Sequence, residues 1–348
     1  MIDLANLSLT MTLVIFGASA AVIGIIGTRM TYYADRLADA TGLGEAVFGA
    51  ALLGGSTSLP GIIASVTVAW NGHADLAVGN AVGGIAVQTA FLVVADMAFR
   101  GTNLEHAAAS VPNLINGTLL CALLALALLA ATGPEMALFQ IHPFSVLMLA
   151  AYAFGLHLAA RTRDAPAWEP VKTSDTVVDE IEDDDVDRPS TIRLWLMFAA
   201  SVAVIGVAGW LVGVSGIALV RHTGLSQTLV GALFTAVATS LPELVTSVAA
   251  VRQGALTLAV GGIIGGNTFD VLFLAFSDFA YRGGSIYHAI SNEPLFIISL
   301  TILLTSVLLL GLIRRERRGM GNIGFESVAV LVIYFFGVGI LVIWPGAG

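Results

Sequence analysis

The chain has 348 residues, of which 57% are hydrophobic and only 11% charged, far from the roughly one quarter of charged residues in soluble domains. That balance excludes a pair of soluble domains and describes a chain built to lie in a bilayer. The formal charge of −9 is concentrated rather than spread, since ten of the 24 acidic residues fall between Asp164 and Asp187, and a single cysteine, Cys121, excludes an intramolecular disulfide or a thiolate metal cage.

Taken in chain order, apolar runs bounded by charges or turn residues predict spans near 10–29, 45–70, 75–98, 111–132 and 142–160, each close to the about 20 residues a bilayer requires. The first run has no positively charged segment before it, so it reads as a retained span rather than a cleaved signal. Residues 161–192 then break the pattern with Pro166, Pro170, Pro189 and the run from Asp179 to Asp185. This stretch lacks the glycine and ligand spacing of a calcium loop and reads as a solvated linker. Five further spans follow near 193–214, 226–251, 255–280, 293–313 and 324–344. Domain organisation is therefore a first five-helix unit over 1–160, an acidic linker over 161–192 and a second five-helix unit over 193–348.

Placing both termini outside puts every one of the 15 lysines and arginines except Arg221 and Arg282 on the inner side. The positive-inside rule favours that orientation and makes the acidic linker cytoplasmic. The expected setting is an integral, multi-pass protein of a prokaryotic plasma membrane, with the lipid bilayer as solvent, no nucleic-acid partner and an oligomeric state the sequence leaves open.

The two halves repeat. Ser19 to Gly24 matches Ser201 to Gly206, Thr57-Ser58-Leu59-Pro60 matches Thr239-Ser240-Leu241-Pro242, and Leu76 to Gly79 matches Leu258 to Gly261, all at one offset, which also carries Arg100-Gly101 onto Arg282-Gly283. An odd number of spans separates equivalent positions, so the second unit lies upside down relative to the first. Inverted repeats of this kind typify secondary transporters, whose sites lie near the midplane where the repeats meet.

Within the second span of each half, Pro60 and Pro242 each remove a backbone donor, and the helix should break or kink there. Freed carbonyls and the hydroxyls of Thr57, Ser58, Thr239 and Ser240 are hard oxygen ligands for Na⁺ or Ca²⁺. The next span carries Gly79-Asn80 and Gly83-Gly84 in the first half and Gly265-Gly266 in the second. Two acids complete the set: Glu243, directly after Pro242, and Asp270, four residues after Gly266. A carboxylate in the bilayer interior is costly enough that it marks an ion or proton pathway. Asp96 and Asp278, each four residues before an arginine, are expected to form interfacial ion pairs with Arg100 and Arg282.

Thr239-Ser240-Leu241-Pro242-Glu243 followed by Gly265-Gly266-Asn267-Thr268-Phe269-Asp270 resembles the second alpha-repeat of the calcium/cation antiporter superfamily, which includes the sodium/calcium exchangers; Thr57 to Pro60 with Gly79-Asn80 and Gly83-Gly84 resembles the first. The resemblance implies an all-α membrane fold of ten transmembrane helices in two inverted five-helix repeats, with spans 2, 3, 7 and 8 as the ion-binding core and spans 1 and 6 as a sliding gate. It implies Thr57, Ser58, Thr239, Ser240, Glu243 and Asp270 as ligands, Asn267 as a shaper of the pocket, and Gln88 opposite Asp270. The first repeat departs from the pattern: Gly61 stands where the family has a glutamate, and Ile85 where it has an asparagine.

The function implied is a secondary-active antiporter exchanging Ca²⁺ or a related cation for Na⁺ or H⁺, with inorganic cations as substrates and no cofactor. Two alternatives stay open: a monovalent cation/proton exchanger whose stoichiometry is altered by Gly61, or a passive channel or ion sensor. An enzyme is not expected. Gly213-Val214-Ser215-Gly216 mimics a serine-nucleophile motif but has no histidine in a later core span to act as base.

Overall fold

The computed structural model describes residues 7–41, 50–98, 104–107, 110–164, 168, 190–316 and 324–344. Most of the expected acidic linker, including the run from Asp179 to Asp185, and Arg100 lie outside these residues. Apart from an isolated bridge between Leu138 and Ile141, the described residues hold helices and their connections. A bilayer offers backbone groups no partners, so an apolar chain satisfies them within each helix.

The long helices are α1 (Leu9–Thr41), α2 (Ala50–Trp70), α3 (Ala74–Ala98), α4 (Val111–Thr132), α5 (Pro143–Asp164), α6 (Thr191–Thr223), α7 in two limbs (Gln227–Thr239 and Leu241–Gln253), α8 in two limbs (Leu256–Asp270 and Leu272–Ala280), α9 (Asn292–Arg314) and α10 (Phe325–Ile343). Among the described residues, eight helices are long and apolar enough to cross a membrane, or nine if the bent α7 is one span. The expected second span coincides with α2, a 21-residue helix outside that count. Sequence punctuation sets several ends. Proline opens α5 and stands in the first turn of α4, where its missing N–H costs nothing, and Gly224 and Gly254 close α6 and α7 with φ of 68° and 84°.

The duplication is legible in the coordinates. Leu9–Thr41 recurs as Thr191–Thr223, Ala74–Ala98 as the stretch from Leu256 to Ala280, and the one-turn helix Leu104–Ala107 as Ile286–Ala289, all at the same offset of 182 residues that separates Gln88 from Asp270. Buried α3 forms the centre, with 89% of its apolar window inside the protein against 17% for α1. It packs on α2, both limbs of α7, α8, α9 and α10, while α1 lies along α6 and crosses α2 and α7. At its closest, the backbone of α3 touches α7: a Cβ added to Gly83 would fall 2.3 Å from the Ala232 Cα, so only glycine permits this approach.

The two prolines do not behave alike. Pro242 sits in the first turn of the second limb of α7, which meets the first limb at 49° after a π-helical stretch, Val230–Thr235. Pro60 lies inside α2, which stays helical from Ala50 to Trp70. The break expected in both halves is therefore present in one. Proline alone removes a single hydrogen bond, which a helix can absorb; α7 adds the π stretch and a Ser240 backbone outside the helical region, at φ −95° and ψ 9°.

One margin acid, Asp278, also differs from expectation, while the expected pairing of Asp96 with Arg100 lies outside the described residues. Asp278 is fully buried and accepts from the backbone N–H of His142 at 2.7 Å, from Ser145 Oγ at 2.7 Å and from the N–H of Ile286 at 2.9 Å. Arg282 lies instead over the Trp70 ring, 4.4 Å from its centroid. The ion pair predicted from helical spacing is not made. Three donors inside the protein outcompete one arginine that can reach the interface and rest on an aromatic face. Asp96 repeats the pattern at the other margin, accepting from the N–H of Leu104 and from Ser327 Oγ, both at 2.9 Å. Ser145 and Ser327 are themselves repeat equivalents, so each half supplies a serine to the other half's aspartate. Such reciprocal pairing is the signature of a two-fold relation between the halves.

Removing a donor from a buried carboxylate costs about 1–3 kcal/mol, whereas a surface cation–π contact contributes about 0.5–1 kcal/mol. Ser145→Ala is expected to lower the melting temperature in detergent by more than Arg282→Ala does. The reverse order would reinstate the ion pair.

Candidate functional site

Where α2, α3, α7 and α8 cross, a narrow cavity opens between the halves. The second half delivers its groups at helix breaks. Glu243 stands in the first turn of the second limb of α7, and Asp270 is the last residue of the first limb of α8, before the interruption at Val271. The carbonyl ends of the preceding limbs favour a cation.

Six of the eight residues singled out from the sequence share the wall of this cavity: Ser58, Gln88, Thr239, Ser240, Glu243 and Asp270. Glu243 is 6% and Asp270 2% exposed. Ser58 Oγ donates to Asp270 Oδ1, and Gln88 Nε2 donates to Asp270 Oδ2 at 2.7 Å and to Ser240 Oγ at 3.0 Å. The arrangement obeys the repeat, because Ser58 and Ser240 are equivalents, as are Gln88 and Asp270. Each of these three hydrogen bonds joins the two halves. Thr57 lies beside the Glu243 carboxyl but off the wall, and its hydroxyl donates to the carbonyl of Gly54 at 3.0 Å. Asn267 is also off the wall, donating to Thr89 Oγ1 at 3.2 Å.

The structure adds residues that the ligand list from sequence omits: Asn80, Gly61, Gly84 and Phe273. Asn80 Nδ2 donates to Ser65 Oγ at 2.8 Å and to the Gly61 carbonyl at 3.3 Å, which turns its carbonyl oxygen away from both. The signal was present in Gly79-Asn80, set among glycines in an apolar span.

Three buried oxygens on this wall have no hydrogen-bond partner: Asn80 Oδ1, Gln88 Oε1 and Glu243 Oε2. All are acceptors, and an unpartnered buried acceptor is costly. The Thr239 hydroxyl proton is directed to the carbonyls of Thr235 and Ala236, at 3.0 and 3.2 Å, so its lone pairs stay free. Two carboxylates, two amide oxygens and hydroxyls form the oxygen-only donor set that hard cations take. Among the described residues no group of three or more histidine, cysteine, aspartate or glutamate side chains gathers to hold a metal. Amides and hydroxyls must complete any coordination shell.

The family model described as sodium/calcium exchanger protein matches residues 11–160 and again 193–343. CaxA of Alkalimonas amylolytica is 28% identical over 303 residues, which cover 85% of this chain and 89% of CaxA. The crystal structure of the H⁺/Ca²⁺ exchanger CAX aligns with a TM-score of 0.70 over 97% of this chain and 82% of that one, at 13% identity. The sodium-calcium exchanger NCX_Mj aligns with a TM-score of 0.59 over 95% and 99%, at 17% identity. At these identities the structural likeness shows the fold.

The placement of Asn80 generates a test. Asn80→Ala removes a wall oxygen and is expected to weaken equilibrium binding of radiolabelled Ca²⁺ by about tenfold, the equivalent of one hydrogen-bond-sized contact. Asn267→Ala, off the wall, is expected to weaken it less. A larger loss in Asn267→Ala would exchange their roles.

Proposed function

Because the chain belongs to the sodium/calcium exchanger protein family, we propose that it is a secondary-active antiporter that exchanges Ca²⁺, or a related cation, for Na⁺ or H⁺ at Glu243 and Asp270. The observation that carries this reading is the pair of buried carboxylates on one oxygen-only cavity where the broken helices cross. The structural neighbours, an H⁺/Ca²⁺ exchanger and a sodium-calcium exchanger, support the same choice of substrates.

The mechanism follows from charge. Two ionised carboxylates balance one Ca²⁺, two Na⁺ or two protons, so the competing substrates neutralise the same groups in turn. Unit charges about 4 Å apart interact by about 4 kcal/mol at an effective dielectric of 20, and an unneutralised site resists passage through a dry intermediate. That resistance prevents the empty carrier from crossing and couples the two fluxes. Thr57, Ser58, Thr239, Ser240 and Gln88 orient the carboxylates and lend oxygens, and Asn267 steadies α3 against α8 through Thr89. No cofactor takes part.

The moving parts are α1 and α6, which lie together and cross the proline segments through glycine. A Cβ at Gly27 would fall 2.5 Å from Pro242 Cγ, and one at Gly209 would fall 2.8 Å from the Pro60 carbonyl oxygen. These smooth crossings let the pair shift across α2 and α7 while the α3–α7 contact stays fixed. The units 1–160 and 193–348 serve as the rocking repeats, joined by the cytoplasmic linker over 161–192, with both termini outside.

Purified full-length protein in liposomes tests the reading. An outward Na⁺ or H⁺ gradient is expected to drive uptake of radiolabelled Ca²⁺, and Glu243→Gln is expected to abolish it. Uptake that proceeds without a counter-ion would make the protein a channel. Unchanged exchange in Glu243→Gln would remove Glu243 from the mechanism.

A further inference from the structure

The cavity is two-sided in backbone and one-sided in charge. The repeat carries Glu243 onto Gly61, and Gly61 lies on the same wall. The volume that a side chain at Gly61 would enter is filled. A Cβ there would fall 2.5 Å from Phe273 Cε2 and 3.1 Å from Cζ. Phe273 is 4% exposed and belongs to the second limb of α8, which begins after the break at Val271. Its repeat equivalent, Phe91, lies in unbroken α3 and packs on the cluster of Leu92, Ala250 and Leu256, off the cavity wall. Phe273 stands three residues after Asp270, so the helical turn that presents the acid also sets an aromatic ring in the place of the symmetry-related one.

We infer that Phe273 and Gly61 together close the second half of the binding site, so that the protein holds one cation at a time, ligated by Glu243 and Asp270. This inference rests on the proposed exchange reading. It specifies the number of ions, which that reading leaves free. The Gly61 face has lost its donor in two ways: the side chain is absent, and the backbone carbonyl accepts from Asn80 Nδ2. A monovalent ion has one pair of carboxylates to approach and no room for a second ion beside the ring. One Na⁺ leaves one carboxylate unbalanced, so exchange proceeds by Na⁺ together with one proton or by two protons, and either set balances the two charges of Ca²⁺.

Equilibrium dialysis of the full chain in detergent, with radiolabelled Na⁺ and Ca²⁺, tests the inference independently of transport. The wild type is expected to bind one Na⁺ or one Ca²⁺ per chain, with Na⁺ displacing Ca²⁺ at a Hill coefficient near one. Gly61→Glu alone is expected to bind Ca²⁺ no better than wild type, because the ring obstructs the new carboxylate. Gly61→Glu with Phe273→Ala is expected to gain a second Na⁺ and at least about tenfold in Ca²⁺ affinity, a coupling between the two positions that neither single change gives. Binding of two or more Na⁺ by the wild type overturns the proposal. So does a Gly61→Glu variant that equals the double variant. If the double variant does not fold, the wild-type count still decides. A wild type that binds one cation but shows no counter-ion-dependent uptake would end the exchange reading and leave this one standing.

Discussion

A carboxylate inside a membrane protein is stable only if something within reach replaces its water, and this requirement organises the molecule. Asp270 meets it with Ser58 and Gln88, and both come from the other half of the chain. The margin acids follow the same rule, Asp96 with Ser327 and Asp278 with Ser145. Neither half can bury its acids alone. The interface between repeats and the cavity of the proposed cation site are therefore one structure, and a change that loosens one is felt at the other.

Around that requirement the helices meet closely where glycine removes a side chain. Backbones touch where Gly83 meets Ala232 and where the π stretch of α7 lies along α3. A widened turn such as Val230–Thr235 gives up regular α geometry, and π-bulges often occur at functional sites. Here it sits one turn before the Thr239–Ser240 elbow, where the limb directions of α7 differ by 49°. The missing Cβ atoms of Gly27 and Gly209 let α1 and α6 lie close against Pro242 and the Pro60 backbone.

Symmetry in this fold is broken for a purpose that lies in one half. Among the described residues, the second repeat holds both acids of the cavity, the π stretch and the bent α7, while α2 and α3 run unbroken. Charge and broken backbone belong together, because a helix end supplies the dipole and free backbone groups that an ion needs. The first repeat contributes neutral oxygens and amides: Ser58, Asn80 and Gln88. Phe273 then occupies the space that exact symmetry would have given to a second acid.

The sequence by itself determined the bilayer as solvent, the spans, the duplication and its inversion, because these depend on composition, length and period, which need no knowledge of neighbours. It also singled out Glu243 and Asp270, since an acid in an apolar run is conspicuous wherever it folds. Contacts between distant residues were beyond it. Helical spacing paired Asp278 with Arg282, yet the partners are His142, Ser145 and Ile286, and the first two arrive from the opposite half. Proline motifs of identical sequence predicted two breaks where one formed, because neighbouring turns decide whether a lost hydrogen bond bends a helix or is absorbed. Gly61 announced a missing charge, but only the packed structure decided what filled its place. That outcome turned on where the chain beyond Val271 carries an aromatic ring, a matter of direction in space that no local pattern encodes.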